Sequence, residues 1–349
     1  AEKGVDAPRD SLYIDCRALL TLPPHVGLLK ARERARGEDK HGSTNFGLAE
    51  VMRFALDHPD KAIRVEDLYK DPKSFMDKYM ILESWARGQA GQSQIMALTS
   101  DFASAVEQRQ LELRAALGGA HILPPEGMAQ LLGSARNLVF EGAQGVLLDE
   151  WRGFHPHTTW STTTFENVYV LLAEWGNPHP VEKLGVLRSY HTRHGYGPFP
   201  TYDPDVAFEE DHNKTEGGMG AFRAGHFDQV LARYAIIVCG GVDSIALTHM
   251  DRADQVKVCT RYAQEWGLPI TFLNINRVKT DLKSQEDITK ELYKVEPVYL
   301  RKLDMTPMTF LEWSKRAGEH LGAPVVIESW GPGADQKKDL TRSRDAATV

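Results

Sequence analysis

The apolar residues of this chain come in short runs that stop abruptly at glycine-rich or hydroxyl-rich loops. Asn137-Leu138-Val139-Phe140-Glu141 runs into Gly142-Ala143-Gln144-Gly145. Leu184 to Arg188, Tyr234 to Cys239, Ser244 to Thr248 and Pro324 to Ser329 follow the same style. Runs of about five such residues have the length of a buried strand and are short for a helix. Between them, Phe227 to Ala235 and Thr309 to Leu321 read as helices. Strands alternating with helices predict an α/β fold with a mainly parallel central sheet flanked by helices. Ligands in such sheets bind outside the carboxyl ends of the strands. The loops after the strands are therefore where function is expected.

The first third reads differently. Ser11 to Asp15 is a short strand, Leu28 to Arg36 a basic helix, and residues 47–57 a second helix. Gln94 to Leu117 places Ile95, Leu98, Phe102, Val106, Leu111 and Leu113 at roughly helical spacing. Residues 60–125 are thus a mostly helical subregion. At about 150 residues per domain, 349 residues would suggest two domains. No linker, repeat or low-complexity tract divides the chain, and one large α/β domain over 1–349 is expected.

Charge and cysteine content exclude several functions. The net charge of −7 argues against a basic nucleic-acid-binding surface. No apolar run is long enough to span a bilayer. Three scattered cysteines, Cys16, Cys239 and Cys259, make neither a disulfide framework nor a zinc site. A cytoplasmic location is expected.

Each loop has a structural and a functional reading. Gly37-x4-Gly42-Ser43-Thr44 lacks the lysine and the preceding strand of a nucleotide P-loop. It is a plain turn or a small phosphate cradle. Gly142 to Gly145 is a tight turn, or it lets the backbone approach a ligand beside Gln144. The run His155-Pro156-His157-Thr158-Thr159 continues in hydroxyls that suit phosphate or ribose, and no third histidine-like ligand makes it a metal site. Thr192 to Thr201 is stiffened by prolines and projects Arg193. Glu216 to Gly225 suits a mobile substrate loop or an ordinary surface loop. Asp251, after the 244–248 run, is a helix N-cap or an acceptor for the N1–H and N2–H edge of guanine. Ser329-Trp330-Gly331-Pro332 ends another strand and could form the opposite wall.

These segments resemble the adenylosuccinate synthetases. FEGAQGVLLD at 140–149 and the threonine run after it match closely. YHTRHGYGPFPT at 190–201 is similar to the family's Y-x-TR-x-GAGPFPT stretch, THMD at 248–251 to TKLD, and SWGP at 329–332 to STGP. HGST at 41–44 resembles I-G-T-T, and Arg64-Val65-x-Asp67-Leu68 also fits. The resemblance runs from about residue 12 to 343. It implies an adenylosuccinate-synthetase-like fold, related to P-loop NTPases, and a C–N ligase of purine biosynthesis. Such a ligase phosphorylates the 6-oxygen of a purine nucleotide (IMP, or dGMP in phage relatives) with GTP or ATP and Mg2+. The amine of aspartate or a related compound then displaces the phosphate.

Residue by residue, the resemblance implies that Ser43, Thr44 and Thr159 hold the acceptor phosphate. Gln144 lies by the acceptor purine and ribose at the reacting centre. Arg53 corresponds to an arginine that reaches across a homodimer interface. Arg223 is what remains of an arginine-rich loop that grips aspartate. His249, Asp251, Ser329 and Gly331 face the donor base. Two departures stand out. The family's GDEGKGK loop, with its Mg2+ ligand, has no match, so either it lies upstream of residue 1 or the chain diverged without it. The loop TTGRRRR reads GGMGAFR here. The competing expectation is a purine-nucleotide-binding protein that has lost phosphoryl transfer.

Overall fold

A computed structural model describes residues 8–37, 46–90, 102–176, 180–208, 220–265, 267–275 and 278–341. Where one domain is expected from the motifs, the chain divides into two compact units, each with its own buried cluster. One comprises Ala1–Phe140 and Tyr169–Pro178, the other Glu141–Val168 and His179–Val349.

The first unit contains the parallel strands β1 (Tyr13–Asp15) and β2 (His121–Leu123). Its helices are α1 (Pro23–Ala35), α2 (Leu48–Asp57), α3 (Pro72–Ala90), α4 (Phe102–Ala116) and α5 (Pro125–Gly133). Pro23 and Pro24 start α1 because their fixed φ suits a first helical turn and their missing N–H groups would have no partner there. The start of the expected 94–117 helix lies outside the described residues. Leu22, Phe54, Ile63, Phe75, Leu82 and Val106 form the core. Asp67 is buried beside it, and its charge is met by Lys78 at 2.8 Å, Lys70 at 3.2 Å and the backbone N–H of Arg64.

The expected strand at 137–141 is not one. The segment pairs with no described strand, Val139 is 93 % exposed, and Phe140 lies against the ring of Trp175. An apolar run needs a neighbouring ladder to become a strand. Helix α6 (Glu166–Glu174) follows.

In the second unit, β3 (Leu184–Arg188) leads to the hairpin partners β4 (His191–His194) and β5 (Phe222–Gly225). After β6 (Phe227–Asp228) comes α7 (Gln229–Val238), which replaces the strand expected at 234–239. Asp228 decides this locally: its carboxylate caps the helix by accepting from the N–H groups of Val230 and Leu231. Val230, Leu231 and Tyr234 then fall on one buried helical face. The chain continues through β7 (Ser244–Thr248), β8 (Val258–Ala263), α8 (Leu282–Leu292) and β9 (Glu296–Tyr299). The helix expected at 309–321 is broken into α9 (Phe310–Ser314), with Thr309 and Glu312 as a capping box, and α10 (Ala317–Leu321).

Strands β10 (Val325–Ser329) and β11 (Lys337–Asp339) complete the central sheet, in the order β11-β10-β7-β3. β10, β7 and β3 run parallel, as expected, and β11 is antiparallel. Among the described residues nothing pairs with the outer edge of β3, where Val186 is 64 % exposed. Ile245 and Leu247 of β7 pack with Phe310, Trp313 and Ala317. Adjacent β7 and β10 therefore deliver their following loops to the same end of the sheet.

His25 gives the first unit a pH dependence. The side chain is buried, Leu22 donates its N–H to the ring Nδ1 at 3.1 Å, and burial pushes the pKa down to about 4. The folded state therefore resists protonation that the unfolded chain accepts. Stability from this group is intact above the ordinary histidine value and is lost as pH falls from about 6.5 toward 4, by about 3 kcal/mol in total. Urea denaturation near neutral pH and near pH 4 should show this loss in the wild type and a smaller one in His25→Gln. Equal losses in the two would disprove the assignment.

Candidate functional site

Gln144 occupies the left-handed backbone region, with φ 55°. A non-glycine residue there carries a cost of roughly 1–2 kcal/mol, so the surrounding structure must hold it. The next turn does so. Val146–Leu148 form a single 3-10 turn, and buried Asp149 follows. Oδ1 of Asp149 accepts from the N–H groups of Trp151 and Arg152, both at 2.9 Å. Oδ2 accepts from the N–H of Thr163 at 2.7 Å. Thr163 returns its hydroxyl to the carbonyl of Gly145, and Thr159 donates its N–H to the carbonyl of Leu148. The Gln144 loop and the threonine run are thus laced into one surface. Gly153 is required in it, because a Cβ there would lie 2.6 Å from the carbonyl oxygen of Asp149.

The β4–β5 hairpin forms a second element. Arg193 and Arg223 face each other across its register. Arg193 donates through Nη2 to the carbonyl of His157 and through Nε to that of Tyr196. Burial, with the charge of Arg223 nearby, pushes its pKa down to about 10, so it stays cationic at neutral pH. Arg223 donates through Nη2 to the carbonyls of Gly195 and Gly197 and lies over the rings of Phe199 and Tyr202. These contacts make Arg223 a brace for the 195–197 turn. Gly197 has φ +118° and packs directly on the Arg193 guanidinium, leaving no room for a Cβ.

The third element is the end of β7 and β10. His249 has φ 56°, its Nδ1 meets the Thr248 hydroxyl at 3.1 Å, and its carbonyl accepts from the hydroxyl of Ser189. Asp251 follows on the 3-10 turn Met250–Arg252 and pairs with Nε of Arg252 at 3.0 Å. On neighbouring β10, Ser329 donates to the carbonyl of Gly331. Trp330 donates its indole N–H to Glu328, and Lys338 sits 4.2 Å from its ring centroid. A Cβ on Gly331 would collide with the Gln336 side chain.

The structure therefore ties the turn after Gln144 to the threonine run through Gly145–Thr163 and Leu148–Thr159, and sets His249 and Asp251 just past β7, next to the strand β10 that ends at Ser329. Arg53 lies on α2 in the first unit, half-buried. Ser43 and Thr44 lie outside the described residues. Sequence reading missed Asp149, whose only signal is an acid directly after an apolar triplet, and the Asp251–Arg252 pair. Among the described residues no three His, Cys, Asp or Glu side chains gather as a metal cage. No described helix is long and apolar enough to cross a membrane.

Comparison with known proteins bears on the family and the fold. The family model described as adenylosuccinate synthetase matches residues 1–338. An adenylosuccinate synthetase of Vibrio cholerae (strain O395) is 32 % identical over 358 aligned positions, covering 96 % of this chain and 77 % of that protein. One from Trichlorobacter lovleyi is 30 % identical, covering 91 % and 73 %. The solved structure of fully ligated adenylosuccinate synthetase from Plasmodium falciparum has a TM-score of 0.73 at 21 % identity, covering 97 % of this chain and 80 % of that one. At that identity the likeness is one of fold. With the family model matching nearly its whole length, the chain belongs to the adenylosuccinate synthetase family, the ligases of purine biosynthesis.

Proposed function

We propose that this protein is a C–N ligase that joins aspartate, or a related amine, to C6 of a purine nucleoside monophosphate, IMP or a dGMP-like nucleotide. The observation that carries the reading is the laced surface of Gln144 and Thr159, built around the carboxylate of Asp149. The purine gives up its N1 proton as its 6-oxygen attacks the γ-phosphorus of GTP or ATP, and the nucleoside diphosphate leaves. The amine nitrogen then attacks C6, inorganic phosphate departs, and the nitrogen loses a proton. Mg2+, when bound, neutralises the triphosphate charge.

The chain's own residues position the reactants. Gln144, fixed in its strained conformation, presents an amide that both donates and accepts to the acceptor purine and ribose. Thr159 holds the 5′-phosphate. Asp251 with His249, Ser329 and Gly331 takes the donor base. Arg53 is the residue to complete the site of a partner subunit in a homodimer. Rigid placement is itself catalytic, because it removes the entropy of bringing the reactants together.

Two measurements test this. In calorimetric titrations with IMP and dGMP, at least one should bind the wild-type chain, and Gln144→Ala should weaken it about 5-fold, the worth of one hydrogen bond. Unchanged affinity in that variant would remove Gln144 from the site. Asp149→Ala leaves three backbone N–H groups without their acceptor and should destabilise the second unit by about 3 kcal/mol in urea unfolding. The same variant should lose nucleotide binding at temperatures where it stays folded. Retained binding would mean the lacing is not what builds the site.

A further inference from the structure

The assignment of Asp251 to the donor base, on which this inference rests, takes no account of its neighbour. Asp251 and Arg252 are each 39 % exposed and joined at 3.0 Å through Nε of the arginine. The guanidinium also lies 5.2 Å from the ring centroid of Phe208, and Phe208 in turn packs on buried Tyr190. The arginine is thus held from the core side and does not simply swing into solvent.

We propose that Arg252 is a specificity-determining residue that widens the donor-base subsite from guanine alone to adenine as well. A lone carboxylate is an acceptor only, and it matches the N1–H and N2–H donors of guanine. A carboxylate joined to a guanidinium presents an acceptor and donors side by side. That pattern matches adenine, whose edge offers the N6 amino donor beside the N1 acceptor. The same pairing weakens the guanine contact, because part of the carboxylate's charge is already compensated and a charge-assisted bond draws on that charge. The subsite so built takes purine nucleoside triphosphates as a class.

The test is titration of the 349-residue chain with GTP and with ATP, each with Mg2+, in the wild type, Arg252→Val and Asp251→Asn. The wild type should bind the two nucleotides within about 10-fold of each other. Arg252→Val should raise the GTP-over-ATP affinity ratio by about 5-fold, the scale of one exposed ion pair. Strong GTP selectivity in the wild type, or a ratio unmoved or lowered by Arg252→Val, overturns the role of Arg252. If that happens while Asp251→Asn still weakens GTP, the donor-base reading stands and only this inference falls. If Asp251→Asn leaves GTP binding unchanged, or the wild type binds neither nucleotide at millimolar concentration, the donor-base reading itself fails and the inference with it.

Discussion

A buried carboxylate must be solvated by something, and the way Asp149 meets that requirement organises the candidate acceptor surface. Three backbone N–H groups from two separate stretches point at its two oxygens. Leaving such a charge unpaired would cost several kcal/mol, so the two stretches cannot drift apart without a large penalty. The left-handed Gln144, the 3-10 turn after it, the glycine at 153 and the threonine run all take their places relative to this one group. Strain at Gln144 is tolerable because the anchor that holds it is stronger than the strain.

The arginine pair on the hairpin follows a related rule with the opposite sign of charge. Two guanidiniums on facing strands repel each other and lose hydration by burial. Among the described residues the compensation comes from carbonyl oxygens of the turn and of His157. The turn is therefore shaped by its own interior cations before any substrate arrives. The described end of the loop expected to meet substrate, residues 220–225, includes β5 of this hairpin.

The fold was legible wherever an apolar run had a neighbour to pair with. Ser244 to Thr248 is a strand for the reason its sequence suggests, burial within a parallel sheet, and Leu184 to Arg188 and Val325 to Ser329 are strands because they pair on either side of it. Two equally apolar runs are not. Residues 137–141 lack a described partner strand, and residues 234–239 belong to a helix set in motion by the cap at Asp228. Composition alone does not separate these cases, because strand identity resides in the partner and helix identity in a cap several residues upstream. At the site, Gln144 and Thr159 stood out through the glycines and hydroxyls around them. Asp149 did not, since its importance lies in backbone donors up to Thr163. Arg223 suggested a ligand contact by its residue type, and its hydrogen bonds to the carbonyls of Gly195 and Gly197 could not be read from the sequence.

The open edge of β3 has a consequence for the molecule in company. An edge strand carries a row of backbone donors and acceptors with no ladder partner, and here it also shows an exposed valine at its middle. Proteins usually blunt such an edge with charge, proline or a covering segment. Along β3 the charged residue comes only at the end, at Arg188. Among the described residues that edge stays uncovered, so an extended segment that lies along it would find a ready row of backbone partners.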